Sequence, residues 1–441
     1  MRIFYISMVF LLFFGTVLGA GEPADTAAEE RGKIDSTEHR IIEWIVRKQM
    51  GSYGPAACYA EDALRRSRKI GYTHGIALAL ACEAAIKGHG NDQFVLSEKL
   101  ARESLEWFAR SDDKYGITLA YYTLGFSLFA QSHFDEAVHY FQLARREARR
   151  TGNRFEEVYY LSVTAEAYRE RGDYARAFDT LQQCIHIAEA LKDTNILHVQ
   201  YKLLAGMFLQ IEDYNAAEKY YRLAYGRGRP EQMDPWDLTG YAELKTRQHQ
   251  YDSALYFYAT LDSAKLPPAL IRIFLVSKGE YYLFRQDYAS ALPYFLKSIV
   301  YQEQMNDGNQ LMRCEQDLAR TYFGLHRDVQ AFRYAHADLA LAQSTDARQN
   351  IRDGCQLLSI YYDRTGRTDS AYFYYRRYIT LKDSVLNDQV KGRFASFGFE
   401  QKIRLLREDK QLEDLCLREE MMIKNMLIAG IAVLLLFAVI Y

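Results

Sequence analysis

The sequence is poor in residues that break or bridge a chain. It has 7 prolines, 3 tryptophans and 6 cysteines in 441 residues. The cysteines at 58, 82, 184, 314, 355 and 416 are scattered and form no CxxC or His/Cys ligand spacing, so zinc-ribbon and thioredoxin-type chemistry is excluded. Unpaired core thiols are expected even if the chain is exported. No Gly-rich phosphate loop, HExxH or nucleophile elbow occurs, and the histidines, such as His74, His133, His139, His186, His198 and His326, are dispersed. No catalytic residue, cofactor or metal site is expected, and the chain reads as a non-enzyme. A net charge of −2 gives no reason to expect nucleic acid. The basic run Arg145-Arg146-Glu147-Ala148-Arg149-Arg150 reads as the solvated end of a helix, where positive charge suits the dipole.

Long uncharged runs are confined to the two ends. Arg2 followed by Ile3 to Leu18, closing on Gly19-Ala20, has the charged start, apolar core and small-residue exit of a signal peptide over residues 1–20. An acidic linker over 21–36 follows, with no cysteine at its start for a lipid anchor. At the other end Met426 to Tyr441 carries no charge. At ~1.5 Å per residue it reaches roughly 24 Å against the ~30 Å of a hydrocarbon layer, so residues 425–441 read as a membrane helix cut short. Export of the N-terminus would leave everything between the two runs outside the cytoplasm, held to the membrane by one span, with the C-terminus pointing to the cytoplasm.

What fills the middle is a repeat. Phe134-Ala137-Phe141, Tyr174-Ala177-Leu181, Tyr214-Ala217-Tyr221, Tyr251-Ala254-Tyr258 and Tyr288-Ala291-Phe295 recur with the alanines 40, 40, 37 and 37 residues apart. A fixed period in this range marks a solenoid of stacked supersecondary units. Each unit reads as two amphipathic helices, with apolar positions at three and four residues. Gly125, Ala165, Ala205, Ala242 and Gly279 each lie twelve residues before the alanine of the second helix, where small size lets paired helices approach. In the turns, Gly172 is suited to a left-handed exit, and Asp173, Asp213 and Asp287 to capping the next helix. The expected class is all-α: a solenoid of about nine units over residues 37–383, including one over Gly71 to Phe108 that has lost its marker alanine. Pro230, Pro235, Pro267 and Pro268 fall between helices, whereas Pro293 predicts a kink or a later helix start.

This pattern resembles the tetratricopeptide repeat. Tyr121, Leu124-Gly125, Ala137, Phe141 and Ala144 match it best, followed by Tyr201, Leu204, Phe208, Ala217, Tyr221 and Ala224. Weaker matches are Ala331 with Tyr322, Ala371 with Tyr362 and Tyr375, and Ala56-Ala60-Ala63. The family unit is about 34 residues, so these helices are longer by about a turn. The resemblance implies a concave face lined by first helices that binds a protein or peptide. Tyr122, Phe126 and Phe129, then Tyr159, Glu166 and Arg169, then Gln316 and Arg320 would line it, or would pack between repeats.

Residues 384–424 read as a long charged helix. Leu405 with Leu412 and Leu415 with Met422 keep a spacing of seven that Glu408 and Glu419 interrupt, leaving open a two-stranded coiled coil, and with it a homodimer, or a single solvated stalk. The order of signal peptide, repeat array, charged helix and span also resembles bacterial membrane sensors, with Tyr378-Ile379-Thr380-Leu381-Lys382-Asp383-Ser384 similar to their membrane-entering segment. That resemblance implies a cytoplasmic histidine kinase or helix-turn-helix domain absent from this sequence. A non-signalling periplasmic scaffold for envelope assembly is the competing expectation.

Overall fold

The computed structural model describes residues 54–90, 93–110, 116–225, 233–261, 268–305 and 307–385, together with Arg31, Gly32, Ile34, Leu266 and Met422. The proposed signal peptide and membrane helix lie outside the described residues, as does nearly all of the linker and of the charged helix. The chain divides into two units, Met1–Val385 and Leu386–Tyr441. From Gly54 on, the described residues of the first unit form seventeen α-helices, and the described residues hold no strand. None of the described helices is long and apolar enough to cross a membrane.

Helix α1 (Gly54–Ile70) precedes eight antiparallel hairpins. These are α2 (Thr73–Ala85) with α3 (Phe94–Ala109), α4 (Ile117–Ala130) with α5 (Phe134–Arg150), α6 (Arg154–Arg171) with α7 (Tyr174–Leu191), and α8 (Thr194–Gln210) with α9 (Tyr214–Tyr225). The remaining four are α10 (Pro235–Arg247) with α11 (Tyr251–Thr260), α12 (Pro268–Phe284) with α13 (Tyr288–Met305), α14 (Gly308–Gly324) with α15 (Asp328–Ser344), and α16 (Arg348–Arg364) with α17 (Thr368–Val385). First helices of successive hairpins, such as α10 and α12 or α14 and α16, also pack on one another, which puts them on the inside of the curve.

The repeat's small residues account for the packing. Ala137, Ala177, Ala217, Ala254, Ala291 and Ala331 are all fully buried. A β-carbon on Gly125 would come 2.7 Å from the Phe141 ring, so glycine is what lets that ring lie on the first helix. The aromatic partners Phe141, Tyr174 and Phe295 are at most 1% exposed, each contributing about 2–3 kcal/mol by burial. In the unit over Gly71 to Phe108 the marker alanine is indeed lost, and Phe94-Ser97-Ala101 keeps the spacing with serine in its place and alanine where an aromatic or leucine stands elsewhere. Ser97 is buried, and its hydroxyl donates to the Ala84 carbonyl at 2.7 Å.

The turns share one geometry. Asp173, Asp213 and Asp287 cap α7, α9 and α13 by accepting from the backbone N–H of Arg176, Ala216 and Ser290, as their sequence positions predict. Gly172 leaves α6 at φ 87, and Asp173 N–H returns to the Tyr168 carbonyl. The same left-handed exit recurs without glycine at Ser132, Lys192, Glu212, His249, Gln286, His326 and Asp346.

Two expectations need correction. The later helix start at Pro293 is not found: α13 begins at Tyr288 and runs through Pro293, and both Pro293 and Ala289, whose carbonyl loses its N–H partner, are exposed residues. The basic run at the end of α5 is not simply solvated. Arg145 and Arg149 converge with Arg154 on Glu157, at 3.5, 3.4 and 2.7 Å, and that carboxylate is 3% exposed.

Candidate functional site

The inner face changes character along the stack. At the α2 to α6 end it is aromatic. His89, in the π-turn Ile86–Gly90 that ends α2, stacks on Phe126 with centroids 3.9 Å apart and lies 5.3 Å from Tyr122. Tyr122 is nearly buried, meets Tyr159 edge-on at 5.2 Å and shares a hydroxyl hydrogen bond with it. Phe129 is buried against Phe134 of its own hairpin, with centroids 5.9 Å apart.

Further along, charge takes over. Glu166 lies 3.6 Å from Arg169, which also pairs with Glu170. On the next hairpins, Asp237 of α10 accepts from Lys202 of α8 at 3.0 Å and from the Tyr225 hydroxyl at 2.7 Å. Burial pushes the Asp237 carboxyl above its ordinary range, and Lys202 only partly opposes this.

The densest cluster spans α10, α12 and α14. Arg313 grips Glu280 with two N–H donors at 2.9 Å each and reaches Glu243 at 2.8 Å, while Arg247 lies 3.4 Å from Glu280. Burial works against the Arg313 charge, yet Glu243, Glu280 and Asp317 outweigh it and raise its pKa well above the ordinary value. Burial likewise opposes ionisation of Glu280, but Arg313 and Arg247 prevail and lower its pKa. Asp317 beside them is pushed up to about 7, by burial and then by Glu280. Arg320 binds Asp317 at 3.1 Å, lies 3.9 Å from Asp353, and keeps 40% of its side chain exposed. Gln316 instead turns outward from this cluster and donates to the buried Asp338 at 3.3 Å.

Of the residues singled out in the sequence, the fold thus brings Tyr122, Phe126 and Tyr159 together, pairs Glu166 with Arg169, and sets Arg320 in a separate charged patch. The network of Glu243, Arg247, Glu280 and Arg313 was not singled out. A signal for it exists, since Phe126, Glu166, Glu243, Glu280 and Arg320 each follow the small residue of their first helix by one place.

Two other features bear on chemistry. A cleft of about 580 Å³ opens where α9 and α10 pack loosely, with Tyr241 stacked on Phe257 at 5.4 Å and the Glu218–Lys245 pair among its lining. Among the described residues no group of acidic, histidine and cysteine side chains is arranged to hold a metal, and no disulfide joins two described cysteines. The arrangement suits recognition of an extended chain by stacking and ion pairing.

Residues 116–190 match the tetratricopeptide repeat family. A comparison with the curated proteins finds no match. Among solved structures, the chain is similar to a Rap protein complexed with competence and sporulation factor, with TM-score 0.56 and 14% identity over 80% of this chain and 99% of that one. It is also similar to the Rap conjugation gene regulator of the plasmid pLS20 in complex with the Phr* peptide, with TM-score 0.51 and 12% identity over 72% and 95%. These likenesses establish the fold as a tetratricopeptide-type α-solenoid.

Proposed function

We propose that this protein is a tetratricopeptide-type interaction module that binds an extended peptide or protein segment along the inner face of its solenoid. The observation that carries this reading is the series of first-helix side chains at one repeat position, Phe126, Glu166, Glu243 and Arg320, with the buried Glu280 of the same series anchoring Arg313. It runs from an aromatic pocket to anchored charges along a single face. Such a face offers an extended chain stacking at one end and charge-assisted hydrogen bonds at the other. Both Rap structures were solved with a bound factor or peptide, which favours the same use of this fold.

The finer reading rests on the sequence. The module is exported, stands in the periplasm, and is anchored by residues 425–441. Residues 384–424 carry the binding signal toward a cytoplasmic effector, a histidine kinase or a helix-turn-helix regulator. No catalytic role is proposed.

Selection of a random peptide display library on the full chain tests the binding reading. Peptides of related sequence should be enriched, and Phe126→Ala and Arg320→Ala should each weaken them by roughly tenfold. Failure to enrich any family of peptides, or binding untouched by both changes, ends it. Alkaline phosphatase fused after residue 385 tests the topology: activity in intact bacteria is expected, and inactivity overturns the periplasmic assignment.

A further inference from the structure

The solenoid curls far enough to touch itself. The turn from α6 to α7 meets the start of α16, 175 residues on, where Arg171 pairs with Asp346 at 2.9 Å and the Tyr174 hydroxyl donates to the Gln349 side-chain oxygen. Arg171 also pairs with Asp135 of α5. One hairpin earlier, the turn from α4 to α5 meets the start of α14. Two glycines sit at these crossings. A β-carbon on Gly172 would come 3.2 Å from the Gln349 nitrogen, and one on Gly308 would come 3.0 Å from the Ser132 hydroxyl and 3.2 Å from the Gln131 carbonyl oxygen.

This contact differs in kind from those between neighbouring hairpins. Hairpins are held by buried aromatic and alanine side chains, whereas the crossings are made by polar groups and backbone. Asp135 and Asp346 keep 67% and 52% of their side chains exposed, so solvent screens their pairs with Arg171 and each pair adds little. The Ser132 hydroxyl and Arg171 Nε are buried there with no hydrogen-bond partner, which further weakens the closed form. The buried bond from the Tyr174 hydroxyl to Gln349 is a neutral hydrogen bond of modest strength, so the contact opens at low cost while each hairpin stays folded.

We propose that these crossings form a clasp, with Arg171, Tyr174 and Gly308 at its centre, which closes the superhelix and admits bulky partners to the inner face only when it opens. The proposal goes beyond the binding reading and stands without it, because the clasp acts on access whatever the inner face binds.

The test uses the full chain with Cys58→Ser and Cys416→Ser, leaving the four fully buried thiols in place. Ser132→Cys with Gly308→Cys puts two thiols across one crossing, within reach of a disulfide. Oxidation should give an intramolecular cross-link, and adding Arg171→Ala with Tyr174→Phe should slow its formation several-fold while helical circular dichroism is unchanged. A third cysteine on the inner face, at Arg320→Cys or in a separate protein at Tyr159→Cys, then reports access. After cross-linking, a 5-kDa polyethylene glycol maleimide should react at least about tenfold more slowly than in the reduced protein, while N-ethylmaleimide reacts equally fast in both. Failure to cross-link, cross-linking indifferent to the Arg171 and Tyr174 changes, or equal labelling by the bulky reagent at both positions would each overturn the clasp.

Discussion

Gly279 on α12 lies beneath Phe295 on α13 so closely that a β-carbon would come within 2.6 Å of the ring. Gly206 on α8 meets nothing nearer than the Arg169 guanidinium at 3.8 Å. Alanine has opposite effects at the two. Gly279→Ala overpacks a filled interface at about 1–3 kcal/mol and lowers the melting midpoint, despite the ~1 kcal/mol helix preference of alanine. Gly206→Ala makes an ordinary van der Waals contact and raises it. Thermal melts followed by circular dichroism check both signs.

Tyr258 is 2% exposed, and its hydroxyl lies 2.8 Å from the Ser277 carbonyl oxygen and 2.6 Å from the Ser277 hydroxyl. Tyr258→Phe leaves the packing intact and the Ser277 hydroxyl short of a partner. The expected loss is about 1–2 kcal/mol, read as a lower urea midpoint with unchanged helicity.

Arg313→Leu takes from Glu280, 3% exposed, its closest cationic partner and leaves it the longer contact to Arg247. Breaking a buried pair costs about 3–5 kcal/mol, and the one-third exposure of the guanidinium reduces this to about 2–3 kcal/mol. The double variant Arg313→Leu with Glu280→Leu should recover much of the loss. A double variant no more stable than Arg313→Leu would show that Glu280 is not the source of the cost.

Glu315 is 8% exposed with Oε2 unpaired, and burial, followed by Glu303, pushes its carboxyl up to about 7. The folded state therefore holds a proton that the unfolded chain releases near its ordinary value of 4.5. The resulting stabilisation is complete below about pH 4.5, falls as pH rises toward 7, and is gone above it. Glu315→Gln removes this slope and, at pH 8, should be more stable than the natural chain by up to about 3 kcal/mol. Urea unfolding at pH 5 and pH 8 measures the difference.

The architecture was legible because it follows from local rules repeated. The spacing of Phe134, Ala137 and Phe141 declares a helix face, the interval to the next such triplet declares a stack, and Asp173, Asp213 and Asp287 mark helix starts. Ser97 escaped because a buried serine that bonds the Ala84 carbonyl does the packing work of alanine while looking like a surface residue. Pro293 misled for the opposite reason, since a missing hydrogen bond costs little where the residue with the orphaned carbonyl is exposed. The inner-face charges were only half legible: Glu280 and Arg313 lie 33 residues apart, and their pairing depends on how neighbouring hairpins are offset. The contact of Arg171 with Asp346 was illegible, because it depends on curvature accumulated over five hairpins and no single interval encodes it.

Lys192, Glu212, His249, Gln286 and His326 hold a backbone shape that glycine adopts more readily, and each stands in a turn between two helices. Each is a site where glycine relieves strain in the native turn, though it also loosens the unfolded chain, and a left-handed non-glycine residue typically leaves about 1 kcal/mol to gain. Since a solenoid's stability accumulates from one unit to the next, five such exchanges spread along the stack offer a route to a heat-tolerant variant whose first-helix recognition residues are unchanged.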